Sequence, residues 1–204
     1  MLFLVRHGAT PPELERRWWG RAEVPLADTA PWALREAAEQ LHRFRPTRLV
    51  ASPLGRALAS ARLMAPVLGL PVEVVPALTE VDLGDFSALT ARECQALFPS
   101  QWQAYLADTV DTAPPGGEPY RRMAGRVRQW ALAQSPEAQI VAVTHTGVIL
   151  ALACLAMGLP LRERVRIGQV PPASWSLLTL TPPVLHRLAQ PASPLGGSPP
   201  ADRL

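Results

Sequence analysis

Two uninterrupted apolar runs, far apart in the chain, constrain the fold most: Leu2-Phe3-Leu4-Val5 and Ile140-Val141-Ala142-Val143. Short continuous runs of this kind read as strands buried on both faces, the pattern of a parallel sheet covered by helices. Each run leads straight into a histidine and then a glycine, as Arg6-His7-Gly8 and as Thr144-His145-Thr146-Gly147. Two separate stretches thus deliver an imidazole to the C-terminal end of a strand, the edge where open α/β sheets bind ligands. An imidazole there can act as a nucleophile, and the guanidinium of Arg6 offers a planar fork of donors to phosphate oxygens. At Gly8 the missing side chain is expected to let an anion approach the backbone closely.

Between these runs, apolar strands alternate with amphipathic helices. The pattern predicts a three-layer α/β/α sandwich with a mostly parallel central sheet, a single domain over residues 1–190. From residue 191 to 204 the chain is Pro, Ser, Gly and Ala-rich and is expected to be a disordered tail. A length of 204 residues is enough to bury one full core without metal or disulfide staples. The only cysteines are Cys94 and Cys154. Cys154 lies in an apolar helical run, so a disulfide framework is not expected and a reducing cytoplasm is. No cleavable leader is indicated at the N-terminus, and the apolar stretch Val148 to Met157 is half the length of a membrane span. All 20 basic residues are arginines, yet the net charge is only +3 and they are scattered, which argues against nucleic acid.

Several segments carry specific expectations. The connection Ala9 to Pro25, with Trp18, Trp19 and Arg21, reads either as a substrate-facing flap or as a loop pinned to the core by its tryptophans. Asp28 or Thr29 is expected to cap a helix with Leu34, Ala37, Ala38, Leu41 and Phe44 inward. Arg48 to Ala51 and Val72 to Val75 read as strands. Ser52-Pro53 reads as a helix start with a capping hydroxyl and proline at the first position. Arg56 then falls in that first turn, off the apolar stripe, beside amides that attract anions. Carboxylates cluster at Glu80, Asp82 and Asp85 without His or Cys at metal-ligand spacing, so no metal is expected. Glu118 is explained by the dipole of the helix it precedes. His42 and His186 fall on a helix and in a late strand, away from the reactive edge, and Trp175 to Leu180 with Val184 to Leu188 form a hairpin.

Two histidines, two arginines, a helix start and a carboxylate on one sheet edge suit metal-free transfer of a phosphoryl group to histidine. The segments VRHGAT, SPLGRALASA, LTEVDLGDF, PPGGE and VTHTGV, in this order, resemble the histidine phosphatase superfamily, which includes cofactor-dependent phosphoglycerate mutase. The resemblance implies His7 as the nucleophile that becomes phosphohistidine. It implies Arg6, Arg56 and His145 as the phosphate pocket and Glu80 as the group that protonates the leaving oxygen and then activates water, with Asp82 the competing candidate. Such a carboxyl has to hold a proton near neutral pH, through partial burial or nearby negative charge. His7 has to be unprotonated on its attacking nitrogen, which a backbone carbonyl on the other nitrogen would ensure. Thr146, Gly8 and Arg21 are expected as further substrate contacts. Glu13 stands where the family often has an asparagine, and no role is carried to it; Ser87-Ala88 replaces a frequent Glu-Gly. The stretch Trp19 to Leu26 is similar to α-ribazole phosphatases of cobalamin biosynthesis. The implied activity is hydrolysis of a small phosphate ester without cofactor, membrane or nucleic acid, and a homodimer is compatible with it. A mutase and a non-catalytic phospho-ligand binder are the competing readings.

Overall fold

The structure, a computed structural model, describes residues 1–14 and 16–192. In chain order the elements are β1 (Leu2–Arg6), β2 (Arg17–Trp18), α1 (Ala30–His42), β3 (Arg48–Ala51), α2 (Gly55–Leu68) and β4 (Val72–Val74). There follow β5 (Leu89–Thr90), α3 (Ala91–Leu97), α4 (Pro99–Ala107), α5 (Tyr120–Leu132), β6 (Ile140–Thr144), α6 (Thr146–Met157), α7 (Arg164–Ile167), β7 (Trp175–Leu180) and β8 (Pro183–Gln190). Six strands form the main sheet in the order β4-β3-β6-β1-β7-β8, parallel from β4 to β1 and antiparallel at β7 and β8.

Alternation along the strands divides the core in two. Phe3, Val5, Leu49, Ala51, Val141 and Val143 point to the side covered by α1 and α2, where Leu34, Ala37, Leu41, Ala57, Ala61 and Met64 meet them. Leu2, Leu4, Val50, Ile140 and Ala142 point to the other side, where Met123 and Val127 of α5 and Val148, Ile149 and Leu152 of α6 meet them. The three-layer sandwich expected from the apolar runs is therefore what forms. A third, smaller cluster of Leu83, Phe86, Cys94, Trp102 and Tyr105 lies away from the sheet, capped by Trp18 from the short β2–β5 ribbon.

Register fixes the reactive edge. Arg6 pairs with Thr144 across β1 and β6, and Ala51 pairs with Val143 across β3 and β6. One residue further on, the His7 amide donates to the Thr144 carbonyl at 2.9 Å and the Ser52 amide to the Val143 carbonyl at 3.0 Å. His7, Ser52 and His145 are thereby set side by side at the ends of three adjacent parallel strands. A slip of one residue would turn each of these side chains to the opposite face.

Several local expectations are corrected. Helix α2 begins at Gly55, two residues later than Ser52-Pro53 implies, and its free Gly55 amide is taken by both oxygens of Glu23 at 3.2 and 3.0 Å. The Ser52 hydroxyl bonds His145 Nε2 at 2.8 Å and accepts from the amide of Leu54, the residue before the helix, at 3.3 Å. Thr29 does occupy the position before α1 but makes no side-chain cap, because its backbone is helical there and the Ala30 amide closes a turn onto Ala27. The long connection after Gly8 is not wholly irregular, since Pro12 to Leu14 make a single 3-10 turn and β2 pairs with β5. The expected tail falls outside the described residues from 193 onward. At its start, Ala192 is buried against the α1–α2 side and its carbonyl accepts from Gln40, so packing extends past the 190 boundary.

Gly8 is corrected on substrate contact as well. A side chain there would meet Ala30 Cβ at 2.8 Å and Leu34 Cδ1 at 3.0 Å, and its amide donates to Ser60 Oγ at 3.0 Å. The glycine admits helix α1, not an anion. Gly8→Ala is expected to destabilise the fold by about 1–3 kcal/mol through overpacking. A guanidinium chloride midpoint equal to that of the parent protein would contradict this.

Candidate active site

A cavity of about 950 Å³ opens at this edge, lined by Arg6, His7, Arg56, Glu80, Thr146 and Gly147 among others. The rings of His7 and His145 lie with centroids 5.3 Å apart, tilted by 56°. His7 Nδ1 is 2.8 Å from its neighbour's carbonyl, that of Gly8. A carbonyl only accepts, so Nδ1 carries the proton and Nε2 keeps its lone pair. His145 Nε2 is bonded to Ser52 Oγ at 2.8 Å, while its buried Nδ1 has no hydrogen-bond partner among the described residues.

Both rings are buried among cations. Burial, followed by Arg56 and Arg6, holds His7 down to about pKa 3, against a weaker upward pull from the Gly8 carbonyl. Burial, then Arg56, His7 and Arg6, also push His145 well below the usual imidazole value. Arg56, read from sequence as a residue beside open amides, is in fact buried. It donates to the carbonyls of Ala22 at 2.9 Å and Gly20 at 2.7 Å, so it is braced by the flap rather than by its own helix. Arg6 donates to the Val170 carbonyl at 2.6 Å.

Glu80 is held by two backbone amides, Oε1 by its neighbour Val81 and Oε2 by Gly147, each at 2.9 Å. A side chain at Gly147 would collide with this carboxylate, so that glycine is what lets Glu80 rest on the first turn of α6. Asp82 is occupied elsewhere: Oδ1 accepts from the Gly84 amide at 3.0 Å and Oδ2 pairs with Arg21 at 3.3 Å. Arg21 does not face the cavity as expected. Its guanidinium is spent on Asp82, on Glu118 at 2.9 Å and on the Glu80 carbonyl at 3.3 Å.

Glu118, a dipole partner by its place in the sequence, is instead the hub of the loop that carries Glu80 and Asp82. It is 6% exposed and takes Arg126 on both oxygens, at 2.7 and 2.8 Å, together with Arg21 and the Asp82 amide. Arg126 goes on to the carbonyls of Thr79 at 2.6 Å and Glu80 at 3.0 Å. Sequence carried no sign of this, because Arg21 lies 97 residues from Glu118 and Arg126 reaches back to it from two turns along α5. Tyr120, buried in the core at the start of α5, also reaches the site, its hydroxyl donating to the Gly147 carbonyl at 2.5 Å. Trp18 and Trp19 both line the cavity, and Trp18 is at the same time packed on Trp102 and Tyr105. Glu13 is exposed on its 3-10 turn and does not line the cavity. His42 ends α1, and His186 is exposed on β8 beside Thr179.

Residues 2–186 match the family model of the histidine phosphatase superfamily, branch 1. The chain is 31% identical to glucosyl-3-phosphoglycerate phosphatase of Mycobacterium tuberculosis, over 87% of its own length and 84% of that protein. It is 27% identical to adenosylcobalamin/alpha-ribazole phosphatase of Escherichia coli, over 88% and 89%. The solved mycobacterial glucosyl-3-phosphoglycerate phosphatase in complex with VO3 superposes with a TM-score of 0.78 at 29% identity, covering 94% of this chain and 99% of that one. The chain belongs to the histidine phosphatase superfamily and is a phosphatase. Among the described residues no helix is long and apolar enough to cross a membrane.

Two outcomes follow from the buried charges. The unfolded chain protonates His7 near its ordinary value of about 6.5 whereas the folded chain does so only near 3, so stability is expected to fall as pH drops through that window. Denaturant midpoints taken between pH 7.5 and 5 should decline, and His7→Gln should flatten the decline; an unchanged slope in that variant would contradict it. Removing the buried hub with Glu118→Ala should cost about 3 kcal/mol by leaving Arg126 uncompensated. It should also slow turnover, as the Glu80 backbone loses its anchor, and full turnover in a folded variant would count against that role.

Proposed function

We propose that this phosphatase hydrolyses a small phosphate monoester through a phosphohistidine on His7, without a metal ion. The observation that carries the reading is the pairing of His7 and His145, rings 5.3 Å apart, with His7 Nδ1 committed to a carbonyl and Nε2 left as a lone pair. In the first step Nε2 forms a bond to phosphorus as the ester P–O bond breaks, and Glu80 gives its proton to the leaving oxygen. In the second, Glu80 takes a proton from water, which attacks phosphorus and breaks the P–N bond, releasing inorganic phosphate. Arg6, Arg56 and His145 bear the charge on the equatorial oxygens. His145 serves best once a dianionic phosphoryl group offsets the repulsion from the two guanidiniums, and its unpartnered Nδ1 supports that contact. Thr146, which opens α6 and lines the cavity, adds to the substrate contacts.

Low pKa values in the resting site keep the nucleophile unprotonated, so no acid limb in kcat/KM near pH 6.5 is expected to arise from His7. The natural substrate is proposed from relatives of two kinds, those named for α-ribazole phosphate and those named for glucosyl-3-phosphoglycerate. The compounds to test are α-ribazole 5′-phosphate, as in cobalamin biosynthesis, which carries no carboxylate, and phosphoglycerate esters, which carry one.

An aryl phosphate is expected to be hydrolysed in the presence of EDTA and to survive in His7→Ala. Undiminished turnover in that variant would overturn the assignment. In a substrate panel, one ester should exceed the rest by orders of magnitude in kcat/KM, and transfer of phosphate between hydroxyls in excess of its release would favour a mutase instead.

A further inference from the structure

Among the described residues, five arginines line the cavity, Arg6, Arg16, Arg17, Arg56 and Arg164, with Glu80 the one acidic residue beside them. Arg6 and Arg56 are accounted for by the phosphoryl group, Arg17 pairs with Glu93 at 3.0 Å, and Arg16 is exposed. Arg164 is different. It is 9% exposed, and no carboxylate pairs with it among the described residues. Its guanidinium carbon lies 4.1 Å above the centre of the Tyr120 ring, with NH2 donating to Thr109 Oγ1 at 2.6 Å and NH1 to the Leu161 carbonyl at 3.2 Å. A ring face and two neutral oxygens orient the charge without neutralising it. Burying a cation in this way is unfavourable, and an incoming anion would offset the cost.

Position narrows what that anion is. Tyr120 carries Arg164 on its ring and bonds the Gly147 carbonyl with its hydroxyl, and the Gly147 amide holds Glu80. Arg164 and Glu80 thus line one cavity and are linked through Tyr120 and Gly147. If Glu80 serves the leaving oxygen, Arg164 stands on the leaving-group side, beyond the scissile bond and away from the phosphoryl pocket.

We propose that Arg164 binds a carboxylate carried by the alcohol portion of the substrate, which makes the substrate class a phosphate monoester with a second, anionic end. The proposal rests on the phosphatase reading above and adds to it a specificity-determining residue. A single guanidinium already held at two of its nitrogens presents its remaining donors to one planar acceptor, which suits a carboxylate. Trp18, Trp19 and Tyr105 line the same cavity and supply apolar surface for the part of the substrate between the two anions.

Two pairs of esters test it: phenyl phosphate with 4-carboxyphenyl phosphate, and glycerol 3-phosphate with 3-phosphoglycerate. Within each pair, the change in the kcat/KM ratio between parent and variant removes differences in intrinsic reactivity. Arg164→Met is expected to lower kcat/KM for the carboxylated member of at least one pair by roughly 10- to 100-fold, mainly through KM. The uncharged partner should stay within about twofold, and Arg164→Lys should restore part of the loss. Equal losses on both members, the mark of a merely structural residue, would overturn the proposal, and so would an unchanged ratio. If Arg164→Met fails to fold, Thr109→Val, which frees one side of the guanidinium, should lower the same ratio. Failure of the parent protein to hydrolyse any of the esters would count against the phosphatase reading alone. Calorimetric binding would then decide the anion site, with a preference for the carboxylated ester that Arg164→Met removes supporting it and no preference refuting it.

Discussion

The site depends on the parallel pairing of β1 with β6. With Arg6 opposite Thr144, the next residues on the two strands are both histidines, and β3, in register on the far side of β6, brings Ser52 to the same level. None of these side chains could find the others by local structure, because they are separated by tens of residues in sequence. What aligns them is the burial of Leu2 to Val5 and Ile140 to Val143 between two layers of helices. Alternate residues of each strand feed opposite halves of the core, so a one-residue slip would exchange the two sets and mismatch the packing on both sides. Stability of the sandwich and geometry of the site are set by the same contacts.

Electrostatics is layered on that frame. Two imidazoles share one strand edge with Arg6 and Arg56, and both are held toward the neutral form by burial first and by the neighbouring cations second. The arrangement is unfavourable without an anion and complementary to one, a preorganised field of the kind that stabilises charge in phosphoryl transfer. Backbone carbonyls at Gly20, Ala22 and Val170 aim the guanidiniums without neutralising them. The acid side is fixed separately, by the Glu118 hub with Arg126 and Arg21 and by the Gly147 amide under Glu80. Arg21 and Arg126, which hold the loops, are paired with carboxylates.

Much of this was legible in the sequence, and the rest was not for identifiable reasons. Buried parallel strands announce themselves as short apolar runs, so β1, β3 and β6 were readable nearly to the residue, and with them His7 and His145. Amphipathic spacing gave α1, α2 and α5. Reading fails where a group's partner is chosen by tertiary contact. Ser52 has the look of a helix cap, but the cap comes from Glu23 and the hydroxyl goes to His145. Gly8 suggests room for an anion, but the room is filled by Ala30 and Leu34. Arg21 sits in a segment that suggests substrate contact, yet its charge is consumed by Asp82 and Glu118. Arg164, between Arg162 and Arg166, looks like any surface arginine until its position above Tyr120 is known.

The central claim, that the imidazole pair exists to carry a phosphoryl group on His7, is tested most directly by rapid-quench mass spectrometry during turnover of an aryl phosphate under alkaline quench. One added phosphoryl group per chain is expected, acid-labile and located on the peptide containing His7. Steady turnover with no phosphorylated protein at any time, or a phosphoryl group found on another residue, would contradict it.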